Sequence, residues 1–287
     1  MTKVLVAGCG DLGRGIAEYF VAQGAEVTGM RYQGTEFPVG VLGLTGDLRQ
    51  LESQAWPEVD LVYLIMTPNS RTGDAYKAAY VEAAEALVNA YQGRPQPAVV
   101  FVSSTSVYGQ NNGAWISDDT LAVPASDTAV QLLAAEECLK QGFARSISVR
   151  CSGIYGPGRY RLLEGVREGQ AWGANQWTNR IHRDDVVSAL CLVGEQALAQ
   201  QPLPEHIIAT DTQPTSMWEV KLWLAARLNV LPPLDDSIAF SDYFPAKGKR
   251  IVSQALRDLG WQPQYPSYVL GYESLLSSYQ RWRQQQA

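Results

Sequence analysis

An α/β fold with a doubly wound parallel sheet and a small C-terminal lobe is what this sequence predicts, on three observations. Short apolar runs alternate with stretches of helical length, the rhythm of βαβ units. The runs are apolar at consecutive positions, as strands covered by helices on both faces require. The first run feeds a glycine-rich turn that opens a helix.

Taken in order, KVLVAG (3–8) reads as the first strand and 13–23 as its helix, followed by AEVTGM (25–30) and a third strand ending before Asp47. VDLVYLIM (59–66), an amphipathic stretch over 74–91 and AVVFVSS (98–104) continue the alternation. SDTAVQLLAAEECLK (126–140) is a helix by its Ala/Leu/Glu body, with Ser126 or Asp127 as N-cap, and SISVR (146–150) is the next strand. Beyond residue 150 the rhythm loosens. IYGPGRY is turn-like, a helix follows near 161–169, and WGANQWTN is polar, aromatic and irregular. A helix over 183–198 and the strand HIIAT (206–210) return towards the sheet, and helices at 216–228 and 267–285 complete the pattern. The expected division is a dinucleotide-binding domain over 1–155, rejoined by 181–212, and a lobe made of 156–180 and 213–287.

Composition narrows the function classes. With 46% hydrophobic residues the chain of 287 can bury a real core, while a net charge of −6 and a pI near 5.1 disfavour nucleic acid or anionic membrane as a main partner. Cys9, Cys138, Cys151 and Cys191 lack CxxC spacing, and His182 and His206 stand far apart, so reduced thiols and no metal site are expected. The start is too short in apolar residues for a signal peptide, and LVYLIM (61–66) cannot span a bilayer, so the expected location is the cytoplasm.

In VLVAGCGDLGRGIA the three glycines have distinct tasks. Gly8 permits the tight turn, Gly10 lets the backbone approach a pyrophosphate, and Gly13 lets helix and strand pack closely. The helix N-terminus then offers N–H groups to the phosphates, as in a Rossmann-type fold. At the end of the second strand stands Arg31, eighteen residues beyond Gly13, where an acid would hold the ribose of NAD. A guanidinium suits a 2′-phosphate, so NADP(H) is preferred, with NAD(H) as the alternative; the other reading of Arg31 is an ordinary surface arginine. Asp47 reads either as an acceptor for the adenine amino group or as an N-cap.

Together, GCGDLG, TGDL (45–48), VSSTSVYG (102–109), VRCSGIYGPGR (149–159), NRIHRDD (179–185) and KRIVSQALRDLGWQPQYPSY (249–268) resemble the extended short-chain dehydrogenase/reductases, the NAD-dependent epimerase/dehydratase family. The resemblance covers about residues 3–275. It implies a nicotinamide cofactor, extends its contacts to Asp11, Leu12, Leu48, Met66, Thr67 and Ser103, and often implies a nucleotide-sugar substrate. It places a substrate-polarising hydroxyl at Ser104 and a Tyr-x-x-x-Lys pair at positions 128 and 132, where this chain has Thr128 and Leu132. One helical turn apart, that Lys lowers the phenol's pKa for proton transfer; an alcohol beside a leucine cannot do so. The glycine loop is one residue tighter than the family's usual form, and Cys151 stands where proline is expected. Both departures point to an atypical branch.

The resemblance also places a diphosphate at Arg159, Arg161 and Arg180, which otherwise read as solvated surface arginines. Tyr108 and Tyr155 read as substitute acids or, more simply, packed rings; His182 reads as a packing and capping residue, and Lys140 lies too far along its helix to replace the missing Lys. Trp115, Trp172 and Trp177 are candidates to line a cleft. The expected function is NADP(H)-dependent epimerase/dehydratase-like or reductase-like action on a nucleotide sugar or a small carbonyl or hydroxyl compound, without the usual relay. The alternative is a non-catalytic NADP(H)-sensing binding protein. The expected partner is a small molecule, and a homodimer is compatible with the pattern.

Overall fold

The computed structural model describes residues 1–233 and 238–286; residues 234–237 and 287, all assigned to the expected lobe, lie outside the described residues. Seven strands form the central sheet: β1 (Lys3–Ala7), β2 (Glu26–Arg31), β3 (Val41–Thr45), β4 (Leu61–Leu64), β5 (Ala98–Ser104), β6 (Ser146–Cys151) and β7 (His206–Ala209). Their order is β7-β6-β5-β4-β1-β2-β3, parallel in each pair from β3 to β6. This is the doubly wound α/β sheet that the apolar runs predict. Strands β1 and β4 are central, so Val4–Ala7 and Leu61–Leu64 are buried without alternation. The edge strand β3 leaves Leu42 exposed.

The order reverses at β1. Ala7 is flanked by Met30 of β2 and Leu64 of β4. Ligands of open α/β sheets bind outside the carboxyl ends of the strands at such a switch point, and the glycine turn begins one residue later.

The chain divides into two compact units, the first comprising Met1–Gly109, Leu121–Cys151 and Val186–Ile207, the second Gln110–Thr120, Ser152–Asp185 and the described part of Ile208–Ala287. In the first unit, the amphipathic stretch expected over 74–91 is a helix interrupted by a π-turn at Lys77–Val81. The Val186–Leu198 part of the helix Arg183–Leu198 packs on the sheet. Tyr63 donates to the Leu190 carbonyl at 2.9 Å, and a Cβ on Gly194 would lie 1.8 Å from the Tyr63 oxygen.

In the second unit, the helices Arg161–Arg167, Met217–Leu228 and Tyr268–Gln286 enclose a core rich in aromatics, including Tyr155, Trp218, Tyr272 and Tyr279. Three short ladders brace it: Gly153–Tyr155 with Arg180–His182, Trp177–Thr178 with Thr215–Ser216, and Trp115–Ile116 with Arg250–Ile251. Residues 110–120 cluster with this unit because the last ladder ties them to distant sequence. The stretch IYGPGRY, expected as a turn, begins as a strand and turns only at Gly156 and Gly158, both at positive φ. No helix among the described residues is long and apolar enough to cross a membrane.

Candidate functional site

The glycine turn is shaped for close approach. Gly8 has φ 108°, and a Cβ there would fall 1.9 Å from the Ile65 carbonyl oxygen, so the residue that follows β4 passes directly against the turn; Met66 and Thr67 come next along the chain. A Cβ on Gly13 would lie 2.3 Å from the Gly8 oxygen. Gly10 differs, because a Cβ on it would meet nothing within 4 Å. The backbone there faces open space, as a pyrophosphate cradle needs. Gly10 is also the N-cap of the helix Asp11–Ala22 and supplies no capping side chain. First-turn N–H groups have no intrahelical acceptor, and Asp11, Leu12 and Gly13 make up the first turn of this helix.

Arg31, at the end of β2, is tethered by one hydrogen bond to the Glu36 carbonyl at 2.8 Å. Burial raises the Cys9 thiol while the charges of Arg31 and Arg14 pull it down, so both cations act on the glycine turn. Sequence reasoning missed Arg14, which reads as an ordinary exposed helix residue paired with Glu18 at 3.1 Å. Asp47 caps the short turn Leu48–Gln50 and pairs with Arg49 at 2.6 Å, which holds its carboxyl below the usual range.

At the end of β5 the two serines part ways. Ser104 accepts from the Ser106 N–H at 3.1 Å and so caps the next turn. Ser103 is buried and donates to Glu136 at 2.5 Å. Glu136 in turn receives Arg150 through Nε at 3.1 Å and Nη2 at 2.6 Å, and Arg150 Nη1 donates to the Tyr108 oxygen at 2.8 Å. Tyr108 is fully buried, with Arg150 lying 5.1 Å from its ring centroid. On the helix Asp127–Gly142, Thr128 Oγ1 lies 3.1 Å from Ser126 Oγ, and Leu132 is 2% exposed. Lys140 pairs with Glu205 at 2.8 Å.

The second unit holds the other candidates. Arg159 and Arg161 are exposed, whereas Arg180 is 9% exposed. Arg180 Nη1 donates to the Tyr272 hydroxyl at 3.1 Å and Nη2 to the Met217 sulfur at 3.3 Å, while its Nε–H has no partner. Asp211, absent from the sequence reading, is 2% exposed and sits beside this arginine; burial pushes its carboxyl up to about 7. Tyr155 is stacked on Tyr272 with centroids 4.5 Å apart, and burial drives its phenol far above neutrality. His182 accepts the Asp184 N–H at 3.2 Å, and burial lowers its pKa.

Next to Met217, Trp218 forms one wall of a cavity of about 690 Å³ together with Trp172, Asn175, Ile238, Phe244 and Lys247. Asn175 holds that wall by donating to the Tyr243 carbonyl at 2.8 Å and accepting the Trp218 N–H at 3.1 Å. Trp172 thus lines a cavity. Trp115 and Trp177 instead sandwich Arg250, at 4.7 and 5.0 Å.

A glycine turn at the switch point of a parallel sheet, opening on an uncapped helix N-terminus, is the architecture of the nucleotide-binding α/β class. Within that class, the chain belongs to the NAD dependent epimerase/dehydratase family, whose model matches residues 4–207. It is 28% identical over 282 residues to protein YeeZ of Escherichia coli K12, covering 93% of this chain and 97% of that one. A solved structure from Methylobacillus flagellatus, assigned to the NAD-dependent epimerases/dehydratases, is 33% identical with a TM-score of 0.81, covering 97% and 99% of the two chains. MoeE5, solved with UDP-glucose and NAD, shares the fold at 22% identity, with a TM-score of 0.79 and coverage of 98% and 99%.

Proposed function

We propose that this chain binds NADP(H) on the glycine turn and the diphosphate of a nucleotide sugar at Arg180, and that it acts without the Tyr–Lys proton relay. The observation that carries the reading is Arg180. Its buried guanidinium is held by a phenol and a thioether, with one N–H unpartnered. A buried guanidinium that no carboxylate among the described residues touches is costly, so a cation kept in that state is placed for an incoming anion. The cavity walled by Trp172 and Trp218 suits a flat nucleobase, and Trp218 follows Met217, which Arg180 touches. The complex of MoeE5 with UDP-glucose and NAD supports the coarser pairing of a nicotinamide cofactor with a nucleotide sugar.

When bound, the nicotinamide supplies hydride transfer. The chain's own residues do the rest. The Gly10 backbone and the Asp11–Gly13 N–H groups hold the pyrophosphate, Arg31 with Arg14 selects the 2′-phosphate, and Asp47 and Leu48 border the adenine. Ser104 orients the substrate hydroxyl or carbonyl. Thr128 and Leu132 offer no group that exchanges a proton near neutrality.

The second reading, a non-catalytic protein that distinguishes NADP⁺ from NADPH, is favoured by the buried, apolar Leu132. Calorimetry with UDP-glucose on the parent and on Arg180→Met tests the ligand site; the variant should bind at least about tenfold more weakly, given that a charge-assisted contact contributes roughly 1.5–3 kcal/mol. Equal binding by both proteins refutes it. NADPH consumption with sugar nucleotides then separates the readings: turnover supports the enzyme, and a large NADP⁺/NADPH affinity ratio without turnover supports the sensor.

A further inference from the structure

We infer that an anion bound at Arg180 arrives together with a proton, which Asp211 takes up. The inference rests on the proposed ligand site and adds to it a charge-balancing partner. Asp211 is tied to the arginine through the backbone, since its N–H donates to the Arg180 carbonyl at 2.8 Å and the preceding Thr210 hydroxyl donates to the same oxygen at 3.3 Å. Its own carboxylate receives the Gln213 N–H at 3.1 Å. The Arg180 guanidinium is occupied by the neutral Tyr272 and Met217 instead. In the free protein, Arg180 and Asp211 therefore compensate each other through the interior without direct contact.

An anion that occupies the Arg180 Nε–H removes that compensation. The Asp211 charge would then face the ligand's negative charge as well as that of Asp185, which acts on it from the start of the helix Arg183–Leu198 and is fixed by the Gln264 and Tyr265 N–H groups. Tyr155 couples to Asp211 from the neighbouring strand, and Tyr272 and Lys221 couple to Arg180. Burial keeps the proton on the Tyr155 and Tyr272 phenols, and two N–H groups hold Asp185 in its charged form where Asp211 accepts one, so Asp211 is the group placed to take up the proton. Burial has already brought its carboxyl to about 7, where protonation needs little further drive.

UDP-glucose is the probe, because its diphosphate diester keeps both charges between about pH 5 and 9 and any proton must come to the protein. Calorimetry in buffers of different ionisation enthalpy counts that proton. About half a proton per site is expected near pH 7.5, with affinity falling up to about tenfold from pH 6 to 9, if binding raises the carboxyl by roughly one unit. Asp211→Asn should bind with no proton uptake and a flat pH profile. In the unsubstituted protein, the ¹³C carboxyl resonance of Asp211 at pH 7.5 should move towards the protonated position on binding, which reads the event even where the variant folds poorly. Binding that depends on Arg180 but brings no proton, or brings one equally in Asp211→Asn, overturns the inference and leaves the ligand site standing. Failure of UDP-glucose to bind overturns both.

Discussion

Replacing Glu136 by Gln removes the charge opposite Arg150 and keeps the side chain's shape. The carboxylate accepts from Ser103 at 2.5 Å and from Arg150 at 3.1 and 2.6 Å, with both charged groups buried. A carboxamide has one acceptor oxygen, so its NH₂ must face a hydroxyl or guanidinium donor. Breaking a buried pair by removing one partner costs about 3–5 kcal/mol, and the bond from Arg150 to Tyr108 survives, so a loss of about 3 kcal/mol is expected. Urea unfolding followed by circular dichroism reads this as a lower midpoint at unchanged slope. The double variant Glu136→Leu with Arg150→Met should cost less than the sum of the two single changes, because no charge is left unpaired. A loss under about 1 kcal/mol for Glu136→Gln would refute the argument, since that is the range of a solvated surface pair.

Asp211 makes a pH-dependent contribution to stability. Its carboxyl rises from 3.8 to about 7 by burial, so the protonated form contributes stability that is full below 3.8 and is lost as the pH rises through about 7. Asp211→Asn should remove this dependence and gain, relative to the parent, up to about 4 kcal/mol between pH 4 and 8 in urea midpoints; parallel curves would contradict it. Arg31→Ala should weaken NADPH binding by about 1.5–3 kcal/mol and leave NADH unchanged, and equal losses for both cofactors would argue that Arg31 does not read the 2′-phosphate. Thr128→Val should leave NADPH binding and stability nearly intact, and any turnover should keep its pH inflections. Fast epimerisation abolished by this change would show that Thr128 carries chemistry after all.

The sheet and the glycine turn were legible in the sequence because their causes are local. Residues 4–13 contain the buried strand, the turn glycines and the helix start, and nothing distant is needed to explain them. That positions 128 and 132 carry Thr and Leu is likewise visible one position at a time. Arg180 could be singled out from NRIHRDD, but not its condition: Tyr272 lies 92 positions away and Met217 lies 37 away. Tyr108 reads from the sequence as an acid or a packed ring, and only the fold brings Arg150, 42 positions on, to its oxygen. Asp211 in TDTQPT reads as a turn residue, since turn chemistry accounts for an Asp there. Secondary structure and the glycine turn follow from neighbours along the chain. Whether a charged group is buried, and whether anything balances it there, depends on residues that only the packed fold brings alongside, and those residues turn Arg180 and Asp211 from surface-like side chains into a candidate site.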